Sequence, residues 1–171
     1  MAARVITVLA VVATLAVDAT YISIIRSVDG PAQADVLTAP FVAGYLLLMA
    51  ALLAASLFAR PVARPALRAA ASAGLFVLSV LAAFTIGAAI LIAAALAIAS
   101  TVLAMRAETS ARSQISGTIA AVLAVALLVG GFEFTWNHLV CPPTGESGGS
   151  TASFLGHGSI YDCKDGVLTV H

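Results

Sequence analysis

One ionisable side chain lies deep inside an apolar stretch of this 171-residue chain: Asp18, within the run 5–25. An acid at the centre of a membrane helix costs about 2.5–3.5 kcal/mol even on the lenient insertion scale, so its presence points to function. Helical spacing gives it company. Thr14 precedes it by four residues and Tyr21 follows by three, and Thr7 extends the line two turns below Thr14. The stripe Thr7, Thr14, Asp18, Tyr21 would face other helices or a water-filled crevice, where a change of protonation at Asp18 could relay a proton or cation. Two observations oppose this. Asp18 lies about 11 Å from the outer end of its span, where Thr14, Tyr21 or water could satisfy it. No other span supplies an acid or base to pass a proton onward.

Cys141 and Cys163 are the two cysteines, and both fall in the C-terminal region. In an oxidising compartment such a pair becomes a disulfide, and closing this loop should stabilise the tail by roughly 3 kcal/mol. The intervening segment is rich in Gly, Ser, Thr and Pro and has few apolar side chains to hold it, so it needs a covalent clip. A metal site from His138, Cys141, Asp162, Cys163 and His157 or His171 is the alternative. It has one His-x-x-Cys pair where zinc sites usually show two paired motifs. A redox pair would favour Cys-x-x-Cys, which is absent. We therefore expect a structural disulfide and no metal or cofactor.

Arg60, Arg64 and Arg68 recur every four residues and could meet anionic lipid headgroups, at about 1 kcal/mol per basic residue near the surface. The plainer expectation is that they fix topology. Phe132, Phe134 and Trp136 alternate beyond the last apolar run, as an interfacial aromatic belt does. The chain carries no Gly-x-Ser-x-Gly elbow, no His-Glu-x-x-His helix and no paired acidic cluster. These absences weigh against an enzyme.

The elements that would position these groups follow from composition. The chain is 61% hydrophobic and 9% charged, against roughly 45–50% and about 25% in soluble domains. A soluble fold this small could not bury so much apolar surface. Eight basic residues balance eight acidic ones, which argues against a nucleic-acid partner. The 38 alanines and the seven-to-one excess of arginine over lysine fit a GC-rich bacterial genome.

The run 5–25 is long enough to span the ~30 Å hydrocarbon core. Arg4 with the apolar stretch after it also resembles a secretory signal, with a passable cleavage site at 17–19. The apolar run continues past that site through 21–25, which favours an uncleaved helix. After a polar loop containing Asp29, Gly30 and Pro31, Thr38 is the expected N-cap of a second span, 41–58, with Pro40 in its first turn. Residues 69–104 are 36 uncharged positions. One helix of that length would measure about 54 Å, so two spans, 67–84 and 87–103, with a turn at 84–87, fit better. A fifth span, 114–131, closes at Gly130 and Gly131. Small-residue series at Ala66-Ala70-Gly74, Ala89-Ala93-Ala97-Thr101 and Ser113-Gly117-Ala121 offer close helix contacts, with Gly74 and Gly117 the stronger positions.

Five spans place Arg4, Arg60, Arg64, Arg68, Arg106 and Arg112 on one side, leaving Arg26 and Lys164 opposite. The positive-inside rule then predicts a cytoplasmic N-terminus and an exported C-terminus. The expected fold is an all-α integral membrane protein: a five-helix transmembrane bundle over 1–131, N-in and C-out. A small disulfide-closed extracytoplasmic tail, 132–171, ends in strands at 159–163 and 167–170, joined by a three-residue loop at 164–166. Its location would be the plasma (inner) membrane of a bacterium. Its partners would be the bilayer, other membrane subunits or further copies of itself. The expected role is non-enzymatic, structural or accessory, in the cell envelope. A small proton- or cation-coupled transporter or channel using Asp18 is the alternative.

Overall fold

The computed structural model describes residues 2–27, 37–83, 86–107, 111–141, 146–151 and 159–171. The polar loop at 28–36 and the turn residues 84 and 85 lie outside them. So do 142–145 and 152–158, His157 included. Five helices make up most of the described chain: α1 (Ala2–Ser27), α2 (Thr38–Phe58), α3 (Arg64–Leu81), α4 (Gly87–Ala107) and α5 (Ala111–Asn137). All five are long and apolar enough to cross a membrane. The 69–104 stretch is divided between α3 and α4 as its length requires. The backbone NH of Gly87 donates to the Ala82 carbonyl at 2.8 Å across the turn.

Helices α1 to α4 form a ring in which α1 packs on α2 and α4, and α3 packs on the same two from the other side. Helix α5 lies mainly against α3. The core between them is made of Leu46, Leu53, Leu75, Leu78, Ile90 and Leu128, all fully or almost fully buried. Val5, Val8, Leu9 and Val12 on α1, and Ile115, Ile119, Val122 and Leu123 on α5, are exposed. Apolar bands this broad would be an aggregation liability in water; acyl chains cover them at no penalty.

The helices start and stop a few residues away from the expected spans, and three of these boundaries have a physical reason. Thr38 does not cap α2. Leu37 holds the N-cap position in a helical conformation without a side-chain cap. Thr38 Oγ1 instead donates to Thr135 Oγ1 of α5 at 3.1 Å. Helix α3 begins at Arg64 because Pro65, lacking an amide proton, suits the first turn. Helix α5 does not close at Gly130 and Gly131 but runs six residues further, to Asn137. Gly131 is a packing residue: a methyl group there would collide with the Phe41 ring of α2.

The C-terminal region is not helical, so the chain is mostly α rather than all-α. Strands β1 (Glu146–Thr151), β2 (Ser159–Lys164) and β3 (Val167–Val170) form an antiparallel sheet in the order β1-β2-β3. Strand β1 comes from the segment read as a loop. Its residues Gly148 and Gly149 leave room for Asp162 and Tyr161 of the neighbouring strand, and backbone pairing supplies what their side chains cannot. The β2–β3 connection is a two-residue turn rather than a three-residue one. Lys164 is paired with Val167, and Asp165 (φ 47°) and Gly166 (φ 83°) both take left-handed backbone. That is the type I′ geometry that an Asp-Gly pair favours and that matches strand twist.

Candidate functional site

The four residues of the α1 stripe turn toward the bundle. Thr7 and Thr14 are fully buried, Asp18 is 3% exposed, and Tyr21 is half-buried against the apolar core. The threonine hydroxyls are used locally. Thr7 Oγ1 donates to the Ala3 carbonyl at 2.7 Å and Thr14 Oγ1 to the Ala10 carbonyl at 2.8 Å. A hydroxyl has one proton to give, so of the groups expected to satisfy Asp18, namely Thr14, Tyr21 or water, Thr14 gives its proton to Ala10 instead. Asp18 Oδ1 has no hydrogen-bond partner among the described residues. Buried polar atoms are nearly always paired, so this oxygen stands out.

The same back-bonding recurs through the bundle. Ser56, Ser72, Ser79, Ser100, Thr101 and Thr135 are buried, and each donates to a carbonyl three or four residues earlier. Ser72 also approaches Thr101 Oγ1 at 3.4 Å, joining α3 to α4. These hydroxyls satisfy their own helices, so they do not build a chain of donors leading away from Asp18.

The arginine triplet is not one row. Its four-residue period crosses a turn, so Arg60 is exposed outside any helix while Arg64 opens α3. Arg64 Nε donates to the Ala59 carbonyl at 2.8 Å, satisfying the end of α2. Arg68 is 5% exposed, and its Nε donates to Ser56 Oγ at 3.2 Å. A shared headgroup-level position therefore does not describe Arg68. Nothing in the sequence pattern distinguished it from its neighbours.

The aromatic trio is likewise divided, because it lies on α5 and not beyond it. Phe132 and Trp136, four residues apart, share the inward face, and Phe132 packs edge-on against Phe41 at 5.4 Å. Phe134 lies on the other face, exposed, and stacks on His138 at 4.1 Å. An interfacial position suits Phe134; Phe132 is a core residue.

Cys141, four residues after the end of α5, is joined to Cys163 of β2 by a disulfide with Cα atoms 5.5 Å apart. Both sulfurs are thereby withdrawn from metal ligation. Among the described residues no three His, Cys, Asp or Glu side chains cluster as a metal site would require. His138 Nδ1 lies 2.9 Å from the Phe134 carbonyl, and His171 Nε2 lies 3.8 Å from Asp162 Oδ2 on an exposed surface. Ile160, Val167, Leu168 and Val170 are exposed on the sheet. Lys164 and Glu146 pair at 2.7 Å across β1 and β2.

No protein family, curated protein or solved structure matches the chain.

Proposed function

We propose that this chain is a non-enzymatic accessory protein of a bacterial cell envelope, set in the plasma membrane with its N-terminus inside and its sheet outside. Charge supports the orientation. Alternating helices bring Arg4, Arg60, Arg64 and Arg68 to one end with positions 106 and 112, and leave Arg26 and Lys164 toward the other. The Cys141–Cys163 disulfide supports the same assignment, because such bonds persist in oxidising compartments.

The observation that carries the accessory reading is the sheet's surface. Four apolar side chains, Ile160, Val167, Leu168 and Val170, stand exposed on a scaffold clipped to the end of α5. Such a rigid, partly apolar surface suits a protein partner, either another membrane subunit or a second copy. The test is native mass spectrometry of the full chain extracted in mild detergent, beside a Val167→Ser/Val170→Ser variant. A companion of fixed stoichiometry in the wild type, lost in the variant, is expected. A monomer in both preparations would remove the reading.

A second reading has one specific observation in its favour: Asp18 Oδ1 has no hydrogen-bond partner among the described residues. An acid held inside a bundle with one oxygen left unpaired by the described residues suits a proton- or cation-coupled transporter or channel. Asp18→Asn in proteoliposomes decides it. Proton and cation fluxes equal to those of the wild type would exclude this role.

A further inference from the structure

Strand β3 lies at the edge of the sheet, with β2 on one side and, among the described residues, no strand on the other. The register shows which backbone groups reach that open side. Ile160 and His171 exchange both of their hydrogen bonds, N–H to carbonyl, at 3.3 and 2.8 Å. In an antiparallel ladder such pairs alternate with pairs that exchange none. Asp162 with Thr169 and Lys164 with Val167 are therefore the next bonded pairs. Leu168 and Val170 turn their N–H and carbonyl groups to the edge instead. Val170 is 56% exposed and Leu168 41%, so the strand lies open.

An open edge is a template for another strand, and folded proteins normally blunt it with a charge, a proline or a bulge. Residues Val167, Leu168, Thr169 and Val170 include neither charge nor proline, and their register with β2 runs without a bulge. The far edge of the sheet differs. By the same alternation β1 turns Glu146 and Gly148 outward, a charge and a residue poorly suited to strands.

The two outward residues of β3 stand two apart, which makes the strand its own complement. A two-fold axis through Thr169 sets Leu168 against Val170 of a second copy, and Val170 against Leu168 of that copy. Every outward N–H then meets an outward carbonyl. Leu168 and Val170 share a sheet face with Cys163 and Tyr161, their partners in β2. The pairing joins them to the same two residues of the copy in one apolar patch. On the other face Thr169 meets Thr169, so no like charges oppose each other at the axis. Homo-oligomers close most often through an axis of this kind.

We propose that β3 pairs antiparallel with β3 of a second copy of this chain, joining two sheets into one. This rests on the accessory reading, for which it names the partner and the contact.

The experiment is cysteine cross-linking of the full-length protein in isolated membranes with a mild oxidant. Residues opposed in a non-bonded pair have Cα atoms about 4.5 Å apart, within reach of a disulfide. Diagonal neighbours lie about 7–8 Å apart, beyond it. Thr169→Cys should therefore give a species of twice the mass on a non-reducing gel, and Leu168→Cys should not. The N–H of Val170 points outward, so Thr169→Cys/Val170→Pro should lose the cross-link while the β2–β3 ladder stays paired. Variants are compared once peptide mass spectrometry has shown Cys141 still bonded to Cys163. Native mass spectrometry supplies a readout that needs no added cysteine: a dimer for the wild type and a monomer for Val170→Pro. The proposal is overturned if Leu168→Cys cross-links as readily as Thr169→Cys, or if proline leaves the dimer in place. It is also overturned if the wild type carries a companion of different mass, an outcome that spares the accessory reading, whereas a wild-type monomer removes both.

Discussion

The Tyr45 hydroxyl of α2 donates to the Ala124 carbonyl of α5 at 2.9 Å, and Gly74 of α3 leaves the space through which it passes. A β-carbon on Gly74 would collide with that hydroxyl and with the Met49 sulfur. Three helices therefore meet at one point because one of them has no side chain there. Lipid removes the hydrophobic drive for helices to associate, leaving close packing and interhelical hydrogen bonds to hold them.

Gly74→Ala should accordingly destabilise the bundle by about 1–3 kcal/mol, the usual range for overpacking. Tyr45→Phe should cost about 0.6 kcal/mol, the average for a membrane hydrogen bond. The two effects share one contact, so they should not add. Unfolding in mixed detergent micelles measures all three variants. Additive losses would show that Gly74 does not act through Tyr45.

Two other glycines should separate cleanly under the same substitution. A methyl at Gly117 would meet the Ala69 side chain at 3.5 Å, an ordinary contact, whereas a methyl at Gly131 would enter the Phe41 ring. Gly117→Ala should therefore be neutral or stabilising by up to about 1 kcal/mol through helix propensity. Gly131→Ala should destabilise, displacing Phe41 from Phe132. The larger Gly117→Leu should still loosen α5 from α3. Equal melting temperatures for the two alanine variants would contradict the geometry.

These glycines also show what can be read from the sequence. The spans themselves are legible because membrane thickness sets a length that 41–58 and the divided 69–104 stretch must obey. Gly74 and Gly117 are visible as members of small-residue series. Gly131 misleads, because beside Gly130 it reads as a helix stop, and what places it within a helix is Phe41, ninety residues away in the chain. Strand β1 has no side-chain signal, since Gly148 and Gly149 pair through backbone alone. Arg68 and Arg60 carry the same period, and only the turn between α2 and α3 puts one inside and the other outside. The disulfide was legible from cysteine count and context.

Opening that disulfide should free the sheet without unfolding the helices. Cys141→Ser/Cys163→Ser removes roughly 3 kcal/mol of loop-closure restraint. The exposed Glu146–Lys164 pair, worth less than about 1 kcal/mol, cannot compensate. Protease should then cut within the 142–171 region while the helical circular dichroism and melting temperature of the bundle hold. Coincident loss of both would mean that the sheet and the bundle fold as one unit.

Asp18 gives the clearest contrast between stability and function. Its Oδ1 is buried without a hydrogen-bond partner among the described residues, and Thr14, four residues earlier on its helix face, is committed to Ala10. A polar group kept in that condition is unfavourable, so Asp18→Leu should stabilise the bundle by up to about 2.5–3.5 kcal/mol, the insertion penalty of the acid. Asp18→Asn should change it less, because the amide is also polar. Unfolding in mixed micelles, with Thr14→Val as a control that removes only the Ala10 bond, orders the three. If Asp18→Leu is instead destabilising, then Asp18 is held by interactions that favour it, and its buried oxygen is part of the packing rather than an exception to it.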